Sequence, residues 1–467
     1  MNITKIKLLT AVVVFLTSIN LIASPRIYPT GVTIYNPKKT YNSFVVFGSP
    51  DGKSHLIDMN GNEVRQWPYI GFPSEIIDPA INGGKKGHIL VQLENGAGVW
   101  SGIFNNKVIG ELDWSGKIVW QWGKEAPGGA ARQNHDWNRL PNGNTLVVTT
   151  LDHVVPAVSD KTIDDQTIHE ITPNGKIVWS WNVGEHLDEF GITDEGRELL
   201  RKSYVNGKTG HGFLTINDMQ PIGPNKWYDG GDKRFNPENI VIDSREASFI
   251  AIIEKKTGKI VWRLGPDFTE NTADAKISNF VNTVNLRPTL DTKVPRPVDQ
   301  LSGQHDAHII PIGLPGAGNL LVFDNEGASG FPATHLASQL GSRVLEINPI
   351  TKEIVWQYTA FDSNEPVWNF YSSFISSARR LPNGNTLIDE GMNGRIFQVT
   401  PQGEIVWEYV SPYFANAPLG GSQVIRTNWV FRAQPVPYNW IPNGTAHSEN
   451  EVEEIDITQF HVPSKKK

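Results

Sequence analysis

Past its N-terminal segment the chain consists of short stretches in which apolar and polar residues alternate. Period-2 alternation is the signature of strands with one buried face. The clearest stretches come in pairs. Thr167-Ile-His-Glu-Ile171 precedes Ile177-Val-Trp-Ser-Trp181, and Arg395-Ile-Phe-Gln-Val399 precedes Ile405-Val-Trp-Glu-Tyr409. The links, Thr172-Pro-Asn-Gly175 and Thr400-Pro-Gln-Gly403, carry Pro, a polar amide and Gly. Each pair therefore predicts a β-hairpin.

The second strand of this hairpin recurs six times. The copies are Gly61-Asn-Glu-Val-Arg-Gln-Trp67, Gly116-Lys-Ile-Val-Trp-Gln-Trp122, Gly175-Lys-Ile-Val-Trp-Ser-Trp181, Gly258-Lys-Ile-Val-Trp-Arg-Leu264, Lys352-Glu-Ile-Val-Trp-Gln-Tyr358 and Gly403-Glu-Ile-Val-Trp-Glu-Tyr409. The first is the most degenerate, and the fifth replaces Gly by Lys. Alternate aromatics lie on one strand face, where they can pack on a neighbouring sheet. Upstream lies a second recurring turn, Leu140-Pro-Asn-Gly-Asn-Thr-Leu146 and Leu381-Pro-Asn-Gly-Asn-Thr-Leu387, with degenerate copies at Pro221 and Pro311. Two turns per unit make four strands per unit. The pattern predicts an all-β fold, a six-bladed β-propeller with four-stranded blades and long inserted loops. An open solenoid is the competing arrangement; long irregular insertions and twisted antiparallel units favour closure.

The insertions fall at 182–213 and 265–303, and Leu187 to Lys202 holds the one helix-forming stretch. Long loops on a rigid scaffold are where substrate contacts concentrate. Lys5 and Lys7 followed by an apolar run to Ala23 read as a signal peptide over 1–23. An uncleaved anchor is the alternative. The propeller domain is then 24–445, followed by a charged, frayed tail over 446–467. The expected location is the periplasm or the exterior, with no stable membrane insertion after cleavage. The chain has no cysteine, so packing alone must hold the fold. A net charge of −7 without a basic stripe excludes a nucleic-acid partner. No cofactor is implied, and no metal-ligand cluster has suitable spacing; His305, Asp306 and His308 split between strand faces.

Aligning the units on the turn proline exposes a shared position six residues earlier. It holds His135, Thr215, His305 and Ser376, with Asn217 nearby. Equivalent positions at the starts of innermost strands should converge on one mouth of the central channel. The plain alternative is a set of polar residues lining a wet channel.

At these residues the sequence resembles the bacterial arylsulfate sulfotransferases. Gly31-Val-Thr-Ile-Tyr35, Gly303-Gln-His-Asp-Ala-His308, Trp429-Val-Phe-Arg-Ala433, and Trp227-Tyr-Asp-Gly-Gly-Asp-Lys-Arg-Phe-Asn-Pro-Glu-Asn-Ile240 with Asp243-Ser-Arg-Glu246 carry the likeness. The resemblance implies nucleotide-independent transfer of a sulfuryl group between phenols through a sulfohistidine. His305 matches the nucleophile, His135 a second histidine, and Arg245 an arginine that binds the transferring group. Asn217 and Ser376 match positions that hydrogen-bond sulfuryl oxygens, Ser376 standing where the family carries Thr. Small phenolic donors and acceptors are the implied partners.

The residue types suit the chemistry. Neutral imidazole is a nucleophile near pH 7 and splits one transfer into two steps. Arginine and hydrogen-bond donors stabilise charge on three sulfuryl oxygens. A protonated His135 could assist the departing phenolate. Trp137, Trp227 and Tyr228 are candidate aromatic walls, with core packing as the alternative role. For Arg245 the alternative is a surface ion pair with Asp243 or Glu246. Two departures stand out. Thr215 occupies the family's His in a His-x-Asn motif, with His211 four residues earlier as a substitute, and the disulfide of well-known members is missing. A non-catalytic propeller binding a protein or glycan is the second reading. A quinone-dependent dehydrogenase is a third, disfavoured by six rather than eight repeats and by the lack of an acidic calcium cluster.

Overall fold

The structure, a computed structural model, describes residues 29–95, 102–192, 194–208, 213–265, 293–298, 301–327, 341–420 and 423–454. Six antiparallel sheets, each of four core strands, are arranged in chain order as the blades of a propeller. The signal peptide, His211 and most of the 265–303 insertion lie outside the described residues.

The innermost strands of blades three to six are Gln133–Arg139, Ile216–Pro221, His305–Ile309 and Ser377–Arg380. Blade two begins with the short strand Glu75–Ile76. Blade one is closed from the far end of the chain. Its inner strand, Ala433–Val436, pairs with Phe44–Gly48. The N-terminal strand Gly31–Tyr35 returns the exchange by adding to the outside of blade six, against Ile405–Val410. Both termini thus lock the ring, which satisfies backbone groups that an open array would expose.

The tryptophan repeat is an inter-blade staple. Trp122, Trp181, Trp262, Trp356 and Trp407 each donate the indole N–H to a hairpin-turn carbonyl of the next blade: Gly175, Gly258, Pro349, Pro401 and Met59. Four of these rings are buried and Trp356 is partly so, and each pairs its polar edge in the same placement. The acceptor turns share one conformation. Gly61, Gly116, Gly175, Gly258 and Gly403 have φ between 75° and 91°, and Lys352 adopts 55° at the same place. Glycine is favoured there because a Cβ strains that backbone.

Each inner strand starts at one mouth of the channel and ends at the other. Connections between blades, and between second and third strands, consequently lie at the starting mouth. Both long insertions belong to that mouth. The described part of the first carries the helix Asp194–Ser203, and Leu187, Phe190 and Leu200 join the core between blades three and four. The tail departs from expectation as far as Glu454. Val452 pairs with Tyr35, and Asn450 exchanges hydrogen bonds with Asn60, so this part of the tail docks instead of fraying. Among the described residues, no helix is long and apolar enough to cross a membrane.

Candidate active site

The ladder register defines which channel residues are equivalent. The last inner-strand pairs are Arg139–Thr145, Pro221–Ile240, Ile309–Leu320 and Arg380–Thr386. Counting back three residues gives Asp136, Asp218, Asp306 and Ser377; counting back four gives His135, Asn217, His305 and Ser376. Hydrogen bonds between blades follow the same phase. Asp136 accepts from the Met219 N–H, Asp306 from Ala378, and Ser377 from Ala433. The register corrects one expectation. Asn217, not Thr215, is the counterpart of His135 and His305, because Pro221 still pairs in the ladder whereas Pro141 and Pro382 follow its end. Thr215 is buried two residues earlier, at the level of Gln133 and Gly303.

Register shifts in the inner strands of blades three, four and five let two consecutive residues meet the channel. His135 and Asp306 take φ of 58° and 60° within these bulges. Such strain persists where surrounding structure imposes it, and bulges re-aim side chains near active sites.

The middle layer is tied together by Arg432 from blade one. Its guanidinium lies 3.1 Å from Asp136, 3.0 Å from Asp218 and 3.3 Å from Asp306. Burial alone would disfavour its charge, but the three carboxylates hold its pKa above the ordinary arginine value. Burial acts on the acids too, Asp218 of the clamp included. Burial drives the carboxyls of Asp218, Asp243 and Asp389 well above their usual range. The centre of the propeller is therefore a cross-blade clamp that fixes the strands bearing the upper layer.

In that upper layer His305 is held in one tautomer. Its Nδ1–H donates to Asn325 Oδ1 at 2.7 Å and to the Gly303 carbonyl at 3.0 Å. A carbonyl can only accept, so Nδ1 carries the proton. Nε2 accepts from the Ile375 N–H at 3.2 Å and from Asn217 Nδ2 at 3.1 Å. Asn217 is itself oriented, because its Oδ1 takes the Arg245 backbone N–H at 3.0 Å. Burial, then the Arg245 charge, holds the His305 pKa down at about 3. The ring is neutral across the physiological range, and its lone pair sits on Nε2.

The other expected residues fall around this histidine. Ser376 Oγ donates to Asn325 Oδ1 at 3.2 Å. The Arg245 guanidinium pairs with Glu246 at 3.0 Å, as the surface-pair alternative supposed, yet its Nε is buried without a partner among the described residues and its charge reaches His305. His135 packs among Phe72, Phe104 and Phe431, at centroid distances of 5.2, 5.4 and 5.8 Å. These rings belong to a cluster at the same mouth that includes Ile375 and Trp429, with Phe374 and Met392 beside it. It supplies the apolar wall that sequence reading sought elsewhere. Trp137 is instead a core residue between blades two and three. Trp227 and Tyr228 follow Pro221 at the far mouth, where the Trp227 indole donates to the Gly318 carbonyl. Asn325 and Arg432 were missed. The recurring dipeptides His135-Asp136, Asn217-Asp218 and His305-Asp306 were the available signal for the correct phase. Among the described residues, no group of three or more His, Asp or Glu side chains is placed to hold a metal.

Fold and site together define a propeller with a neutral, oriented histidine and an arginine at one channel mouth. A profile of the arylsulfotransferase (ASST) family matches residues 51–409, and the chain belongs to that family. Membership supports aryl-sulfate sulfotransferase activity in general, and small aryl substrates with it. No curated protein matches the sequence. Similar solved structures include a protein of unknown function from Bacteroides caccae, 14% identical, with a TM-score of 0.44, covering 85% of this chain and 99% of that one. Virginiamycin B lyase from Staphylococcus aureus is 11% identical, with a TM-score of 0.35 and coverage of 82% and 88%. A putative 6-phosphogluconolactonase from Bacteroides fragilis is 8% identical, with a TM-score of 0.37 and coverage of 85% and 98%.

Proposed function

We propose that the chain moves a sulfuryl group from an aryl sulfate to a phenol through a sulfohistidine on His305. The observation that carries this reading is the fixed tautomer, with Nδ1–H bound to Asn325 and Gly303 and the lone pair on Nε2. Nε2 attacks sulfur, the S–O bond to the aryl group breaks, and the phenolate leaves with the electron pair. The Asn217 amide and the Ile375 N–H, which hold Nε2 in the resting site, would then be released to sulfuryl oxygens. Arg245 would add charge to the same group, and its unpartnered Nε favours that role. His135 would give a proton to the leaving phenolate from its aromatic pocket. In the second step a phenol oxygen attacks sulfur and gives its proton to His135, while the S–Nε2 bond breaks and its electron pair returns to Nε2. The apparent signal peptide supports action outside the cytoplasm.

The test uses 4-nitrophenyl sulfate as donor and phenol as acceptor. Ping-pong kinetics are expected, together with an acid-labile sulfuryl adduct on the His305 peptide when donor alone is added. His305→Ala should lose both adduct and transfer. An adduct that persists in that variant, or lies on another residue, overturns the assignment.

A further inference from the structure

At the far mouth, where the inner strands end, the channel widens into a funnel of about 540 Å³. Its walls are mostly apolar and include Pro221, Pro311, Pro382, Pro435, Tyr41 and Trp440. Its floor carries Glu75, Gln220, His308 and Arg379. Ligand pockets usually combine such a volume with apolar walls and a few convergent polar groups. None of these residues belongs to the His305 mouth.

Two floor groups each keep a polar atom without a hydrogen bond among the described residues. His308 is buried, and its Nδ1–H donates to the Asp306 carbonyl at 2.8 Å, which leaves an acceptor lone pair on Nε2. Neither that nitrogen nor the Glu75 carboxyl makes a hydrogen bond among the described residues. Burial, then Asp136, pushes Glu75 up to about 8, so near neutrality it presents an O–H donor. The floor guanidinium of Arg379 is already neutralised by Asp306 at 2.5 Å. One free donor and one free acceptor, neither charged, match a hydroxyl, which needs both. Arg380 and Arg432 also line the funnel and are paired with Glu346 and Asp136, so among the described residues an anion would meet no unpaired guanidinium here. The proline and aromatic walls suit flat rings better than a polyol.

We propose that this funnel is a second ligand site, taking an uncharged hydroxylated aromatic of two or three fused rings. The site stands whether or not His305 is the nucleophile. It is tested with 2-naphthol, followed by fluorescence at equilibrium, with naphthalene as the partner lacking a hydroxyl. Saturable 2-naphthol binding is expected in the full chain and in His305→Ala. Binding should weaken about tenfold in Glu75→Ala and in His308→Leu, each of which removes one hydrogen bond to the hydroxyl. Naphthalene should bind more weakly than 2-naphthol by at least that factor. Ile312, 64% exposed on the funnel wall, gives a variant that leaves the core intact. Ile312→Asp should also weaken binding several-fold. Unsaturable binding, or equal affinity in Glu75→Ala, His308→Leu and Ile312→Asp, would mean that the funnel holds water only. Binding lost in His305→Ala alone would place the naphthol at the other mouth and equally defeat the proposal.

Discussion

Asn325 Oδ1 lies 2.7 Å from His305 Nδ1, and Asn325 Nδ2 is anchored on the Ser372 carbonyl at 2.6 Å. The amide is thus held from behind while it holds the histidine. It is a positioning residue, acting through the tautomer rather than on substrate. Asn325→Asp should convert the neutral acceptor into a carboxylate, which favours the imidazolium and raises the His305 pKa. The acidic limb of the kcat profile should move upward in pH, while a merely structural role would lower kcat equally at every pH. Asn325→Ala should cost about 10²-fold in kcat, in line with loss of a tautomer-fixing contact. An unmoved pH profile in Asn325→Asp would remove the residue from the mechanism.

Trp407 and Trp67 are both fully buried, yet only one has a partner for its indole N–H. Trp407 donates to Met59 at 2.7 Å, whereas Trp67 Nε1 has no acceptor among the described residues and its ring meets Trp114 edge-on. Replacement by Phe removes similar ring volume at both sites. At Trp407 it also strips a buried carbonyl of its donor. Trp407→Phe should therefore destabilise the fold by about 1–2 kcal/mol more than Trp67→Phe. Denaturant titration of the two variants measures the difference, and equal losses would show that the staple contributes only through packing.

These contrasts explain what sequence could and could not supply. The hairpin is written locally, in a turn residue with positive φ and a tryptophan at a fixed distance after it, so six copies gave six blades. Lys352 kept the pattern recognisable because the turn tolerates a strained non-glycine. Strand register is not local. Pro221 resembles Pro141 and Pro382 as a turn marker but pairs with Ile240 inside the ladder, which misplaced blade four by two residues and promoted Thr215 over Asn217. Arg432 was beyond reach for a different reason. It enters from the C-terminal strand that closes blade one, so no repeat comparison within a unit sets it beside Asp136, Asp218 and Asp306. The aromatic wall failed on direction: Trp137 follows a bulge and turns into the blade, while loops distant in sequence bring Phe72, Phe104 and Phe431 to His135.

Acid and base should unsettle this channel through different groups. Glu75 has an ordinary pKa of 4.5 when unfolded and about 8 in the fold. Between those values the native state binds the extra proton, so its contribution to stability falls as pH rises through 8. His305 works the other way. Its ordinary value is 6.5 and its folded value about 3, so the unfolded chain binds the extra proton in that window and stability falls as pH drops. Glu75→Gln fixes the neutral form. Its Tm relative to the parent should be higher at pH 9 than at pH 5, measured at matched ionic strength. Glu75 keeps a partial opening to the funnel, and solvent there reduces the size of the effect without changing its sign. A Tm difference independent of pH would mean that Glu75 is already ionised in the fold at neutral pH.

Arg245 distinguishes a structural ion pair from a group that binds the transition state. In the resting site its NH1 reaches Glu246 at 3.0 Å, its backbone N–H orients Asn217, and its Nε is buried without a partner among the described residues. Lysine at this position keeps the backbone bond, the positive charge and the pairing with Glu246. It loses the planar fork and the Nε–H, the donors that a trigonal sulfuryl group would use. If the residue serves only the ion pair, Arg245→Lys should be kinetically silent. If the fork grips the sulfuryl group most strongly as the S–O bond lengthens, kcat and kcat/KM should fall together by about 10²–10³-fold with little change in KM. The loss should also depend on the donor. A nitrophenyl sulfate, with its good leaving group, needs less stabilisation than phenyl sulfate, so the parent-to-variant ratio should be larger for phenyl sulfate. Equal ratios for both donors, or activity within twofold of the parent, would return Arg245 to the role of a surface ion pair and leave Asn217 and Ile375 as the groups facing the sulfuryl oxygens.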